Sequence, residues 1–239
     1  MHIRIGALAA LLLSAQVAQA QQCPVPEGAD PRLAQVDNAV RLKFIQEALN
    51  HDAGRAVAWR WGWVAAYGAI SVAQFGLSAL RPPENMPHFQ TERYVGGVQA
   101  AIALLPPLIL PLHVGYNGPA FDARVKAATP ADTCTLIDEG EKLLKEDAHN
   151  EAFGFGWVSH VVNIVYNAVF FAILAGGYKD LLGGALAGGL GAVLGEVQIF
   201  TQPIALPGAW HDYQAGKLGA APAPAVTLRV TGGGVQMTF

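Results

Sequence analysis

Charged side chains are spread unevenly along this chain, and the gaps between them form its strongest pattern. Asp, Glu, Lys and Arg crowd into residues 27–60 and 122–151, whereas 61–80, 94–121 and 152–178 contain none and 181–211 contains only Glu196. A helix needs ~20 mostly apolar residues to cross ~30 Å of hydrocarbon, so gaps of this length predict spans. Four follow, at about 57–80, 95–117, 154–176 and 182–205. The expected fold is all-α: a polytopic membrane helical bundle of about four spans, with a polar helical extension and a short hairpin-like C-terminal tail. A soluble all-α protein with buried Ala- and Gly-rich helices is the competing reading. One water-soluble core seldom hides four such windows.

The polar stretches carry helical patterns of their own. From Asp30 to Arg55, Leu33, Val36, Val40, Phe44 and Ala48 recur at three- and four-residue steps, predicting an amphipathic helix that leads into the first span. From about Thr135 to Glu151, Ile137, Leu143, Leu144 and Ala148 share one face of a shorter acidic helix. Its Lys142, Lys145, Asp147 and Glu151 read as a solvated surface. Trp59, Trp61 and Trp63 suit a membrane–water interface. Pro106, Pro107 and Pro111 predict a bent or partly unwound second span, whose freed carbonyls need partners from neighbouring groups. After the extended Pro222-Ala223-Pro224, alternating Val226, Leu228, Val230 and Val235, Met237, Phe239 around Gly232–Gly234 predict a small hairpin.

The first twenty residues change the picture. Arg4, the apolar run from Ile5 to Ala15 and the small-x-small Ala18-Gln19-Ala20 make a secretory signal peptide, too short to span as an anchor. The expected organisation is then 1–20 signal peptide, 21–56 extracytoplasmic amphipathic helix, 57–206 four-span domain including an extracytoplasmic polar helix at 118–153, and 207–239 tail. A cleaved signal puts both ends of the mature chain outside a bacterial-type inner membrane. Cys23 and Cys134 then face an oxidising compartment, where a disulfide between them would persist. Positive charge opposes this orientation. The inside loops carry only Arg81, Arg93 and Lys179, against Arg41, Lys43, Arg55, Arg60, Arg124, Lys126, Lys142, Lys145 and Lys217 outside.

Composition narrows the function. The 239 residues are 52% apolar and 14% charged, against ~25% charged in ordinary domains, which excludes disorder. A net charge of −3 argues against a nucleic-acid partner, which would want a basic face. The expected surroundings are a lipid bilayer and a second copy or a partner membrane helix. No Gly-x-Ser-x-Gly elbow and no phosphate-cradling lysine loop occurs, and no catalytic residue or cofactor is predicted.

Polar groups at membrane depth are expensive, so they are the default functional candidates. His160, Asn163 and Asn167 form a stripe at i, i+3, i+7 in the third span, and Glu196 lies in the fourth. At 1.5 Å per residue, His160 and Glu196 sit roughly 9 and 14 Å below the outer boundary, close enough to meet. His113 and Arg60 lie near the same end, so all six residues are candidates for a proton or ligand site. No short metal-ligand spacing supports a metal there. Gly184, Gly188, Gly191 and Gly195 form a bare helical face for close packing. The leading expectation is a non-enzymatic accessory or structural membrane protein using that face to hold a partner or second copy. The alternative is a small transporter or channel-like protein using the Glu/His/Asn site.

Overall fold

A computed structural model describes residues 22–82, 84, 86–219, 227–231 and 234–238. The signal peptide expected at 1–20 lies outside the described residues. A short 3-10 helix, Pro31–Gln35, is capped by Asp30, whose side chain accepts from Arg32 N–H. The amphipathic helix does not begin there. Val36 is extended, and α1 starts at Asn38 under a new cap, the Asp37 carboxylate on Ala39 N–H. α1 runs unbroken over Asn38–Ser78, about 60 Å at 1.5 Å per residue.

The first half of α1 buries Arg41, Phe44, Ile45, Ala48, Leu49, Asp52, Ala53 and Ala56, a continuous helical stripe. Val40, expected on that face, is exposed. The stripe packs on α4 (Val114–Ala127), α5 (Thr133–Gly154) and α8 (Ala205–Gln214). Phe121, Ile137, Leu144, Leu206, Ala209 and Tyr213 complete this core, which we call the head. α8 corrects the expected start of the tail, because Leu206, Ala209 and Tyr213 are fully enclosed head residues. Cys23 and Cys134 form a disulfide with Cα atoms 5.1 Å apart, tying the N-terminal segment to α5. At the far end of the chain, β1 (Thr227–Thr231) and β2 (Gly234–Thr238) pair antiparallel, with Thr227 opposite Thr238.

Two apolar hairpins hang from the head. The second half of α1 leaves it, and α2 (Phe89–Ala103) returns to it through α3 (Leu105–Ile109). The prolines end α2 at Ala103 and leave Leu110 non-helical, so this stretch is interrupted as its sequence requires. α6 (Trp157–Ala172) leaves after α5, and α7 (Leu181–Phe200) returns after a π-turn at Ile173–Gly177.

Among the described residues, three helical stretches are long and apolar enough to cross a membrane, within Phe89–Ala127, Pro130–Gly177 and Leu181–Gln214. The end of α1 is charge-free but falls short of them in apolarity, because Trp61, Gly62, Trp63, Tyr67, Ser71 and Gln74 dilute its aliphatic residues. Val161, Val162, Val165, Val169, Leu182, Leu186, Leu190 and Val193 stand exposed on α6 and α7. A surface this apolar fits membrane association.

Candidate functional site

The polar stripe of α6 and the bare face of α7 turn out to be two sides of one contact. A Cβ added at Gly195 would collide with the Asn163 amide, and one at Gly191 with the amides of Asn167 and Gln99. At Gly188 and Gly184 it would come within 2.8 Å of Phe171 Cβ and 2.9 Å of the Phe171 carbonyl. The glycines therefore give the asparagines room. The helix that packs on Gly184, Gly188, Gly191 and Gly195 is the chain's own α6.

His160 and Glu196 do meet. His160 Nδ1 lies 2.6 Å from Glu196 Oε2, and Asn163 Nδ2 donates to Glu196 Oε1 at 2.9 Å. Asn163 Nδ2 also reaches the Ala192 carbonyl at 2.9 Å, holding the amide across the seam. Asn167 Nδ2 donates to Asn163 Oδ1 at 2.8 Å and receives Gln99 Nε2 on its own Oδ1 at 2.7 Å. The Tyr166 hydroxyl donates to the Gln99 carbonyl. Phe155 and Phe200 flank the His160 ring at 6.1 and 5.4 Å between centroids. A little over a quarter of each side chain in the His160–Glu196 pair remains exposed (28% and 27%), so the pair is reachable while Asn167 is buried.

No protein family, curated protein or solved structure matches this chain. The site must therefore be read from its own geometry. His113 and Arg60 are not drawn into it. The His113 backbone N–H donates to Asn150 Oδ1 and its ring sits against Tyr116, because the proline break turns this segment into the head. Arg60 donates to the Leu108 carbonyl and lies over the Trp61 ring. The indoles of Trp59 and Trp63 donate to the Gln198 carbonyl on α7 and to Thr201 Oγ1 just after it, bracing one hairpin on the other.

Gln99 was the member missed by sequence reasoning, although an amide inside a charge-free window is itself a signal. A second cluster was misread. Asp147 and Glu151 are not solvated; both are fully buried, and Glu151 lies against Asp52 of α1 and Asp147. Asn117 Nδ2 donates to Asp147 Oδ1 at 2.8 Å, Leu206 N–H to Glu151 Oε2 at 3.0 Å, and Arg55 Nη1 to Asp52 Oδ1 at 3.3 Å. Both acids precede the charge-free stretch that begins at residue 152. Burial, reinforced by the Asp52 charge, pushes Glu151 up to about 10. Burial also raises Asp147 to about 6, against the Asn117 hydrogen bond. Among the described residues, no group of three His, Cys, Asp or Glu side chains is placed to hold a metal ion.

Proposed function

We propose that this is a non-enzymatic integral membrane protein, small transporter or channel-like, that takes up a proton or small cation at the Glu196–His160–Asn163 site. One observation carries the reading: the only acid in residues 181–211 is paired at 2.6 Å with a histidine on the facing helix, and the pair is still partly exposed. Packing alone asks for no charge here, since the neutral amides already close the seam, and a charge at membrane depth is expensive. The accessory role loses its main support now that the glycine face is taken.

The same reading puts the head on the extracytoplasmic side of a bacterial-type inner membrane. The Cys23–Cys134 disulfide supports it, because such bonds persist in oxidising compartments. The test is proton flux into proteoliposomes under an imposed potential, read by a dye in the lumen. Glu196→Gln should lower the flux at least tenfold without changing the thermal midpoint. Flux no greater than in protein-free vesicles would sink the proposal. Unchanged flux with lost assembly in the variant would favour the accessory or structural role.

A further inference from the structure

The buried acids of the head stand where it joins the two apolar hairpins. Glu151 lies one turn before the α5–α6 junction at Phe155–Gly156. Its carboxylate accepts from Leu206 N–H, and its backbone carbonyl accepts from Gln202 Nε2 at 3.0 Å. Gln202 lies in the α7–α8 junction at residues 201–204, and Leu206 in the first turn of α8 just after it. Glu151 therefore holds both transitions between α5 or α8 of the head and the second hairpin.

Three oxygens in the cluster, Asp52 Oδ2, Asp147 Oδ2 and Glu151 Oε1, are buried without a hydrogen-bond partner. Such oxygens are strongly disfavoured there if ionised, because burial removes the water that would otherwise solvate the charge. The Asp52 carboxyl is within hydrogen-bonding reach of Glu151. One proton carried between them satisfies an oxygen on each side and removes one negative charge.

We propose that Asp52, Asp147 and Glu151 form a proton-operated latch, closed while Glu151 carries a proton and released as the cluster ionises. The latch is independent of the Glu196 reading. From α1 the cluster is faced by His51, 4.0 Å from Asp52 Oδ1, and by Arg55. α4 contributes Asn117 and Tyr116, and α5 contributes Glu146. α8 and the turn before it offer only the neutral Leu206 N–H and Gln202 amide. Arg55, paired with Asp52 Oδ1, is a permanent cation set against these three acids and the nearby Glu146.

The sign follows from proton linkage. A carboxyl whose folded pKa is raised binds more protons folded than unfolded, so its contribution is full at low pH. That contribution falls as pH climbs from the ordinary carboxyl range toward the raised value. For Glu151 this window runs from about 4.5 to about 10, and Asp147 adds to the loss between about 4 and about 6.

The experiment has two parts, both on the full chain in micelles. Infrared difference spectra at about pH 7.5 should show a protonated-carboxyl band that Glu151→Gln removes. Hydrogen exchange over 145–157 and 199–210, corrected for intrinsic rates, should show local opening rising up to roughly a hundredfold from pH 6 to 8. In Glu151→Gln, whose amide can still donate to Asp52, the profile should be flat. If that variant does not fold, Asp52→Asn replaces it and should move the band's titration to lower pH. Absence of the band, identical corrected profiles in wild type and Glu151→Gln, or a stoichiometric metal ion released on denaturation would each overturn the latch.

Discussion

Arg41 shows how far a residue's role can lie from its place in the sequence pattern. By charge alone it is one of several positive groups flanking the first apolar window. In the fold it is 1% exposed, and its guanidinium donates to Tyr213 Oη at 3.0 Å, the Cys23 carbonyl at 3.0 Å, the Pro24 carbonyl at 2.7 Å and Glu141 Oε1 at 2.6 Å. Tyr213 in turn donates to Glu141. Removing one partner of a buried pair strands the other's charge, so Arg41→Met should destabilise the head by roughly 3–5 kcal/mol. Urea unfolding in micelles, followed by near-ultraviolet circular dichroism, measures this. Arg41→Lys should fall between the two, because a lysine keeps the charge and loses the fork. Its two side-chain partners come from positions 172 and 100 residues away, a distance over which helical periodicity says nothing. The buried acids were hidden for the same reason. Asp147 and Glu151 share a helical face, and only α1, α4 and α8 decide that it meets protein rather than water.

Helices were the most legible level. Charge-free runs marked the apolar helices, the prolines marked where α2 stops, and the i, i+3, i+7 stripe marked the polar side of α6. Pairing between elements was less legible. The glycines of α7 and the asparagines of α6 each have an evident pattern, but nothing in either says that they face one another. Their complementarity gives a direct test. Gly191→Leu drives a side chain into the Asn167 and Gln99 amides, and overpacking of this kind typically costs about 1–3 kcal/mol. The thermal midpoint in micelles should fall accordingly, with loss of protection at Gln99. Leu190→Ala, one position along on the exposed side, should leave both unchanged. A Gly191→Leu protein as stable as wild type would mean that α6 does not lie on this face.

At the scale of the molecule, the disulfide and the head belong together. Cys23 and Cys134 are 111 residues apart, and closing a loop of that length should contribute roughly 4–5 kcal/mol through the entropy of the unfolded chain. Cys23→Ser with Cys134→Ser, or reductant on the wild type, should lower the head's melting midpoint while the protein stays in an alkali-washed membrane pellet. Release into the wash would count against membrane embedding altogether. By itself the sequence determined that the chain is mainly helical, that its later charge-free stretches are apolar enough for a bilayer, and that His160 and Glu196 could reach each other. Those properties depend on local composition and on spacing along single helices. Only the tertiary structure decided that the glycine face is filled from within, that His113 and Arg60 turn away from Glu196, and that Asp52, Asp147 and Glu151 are shut in together. Burial and charge pairing are set by which helices lie against each other, and that is fixed by contacts between residues far apart in the chain.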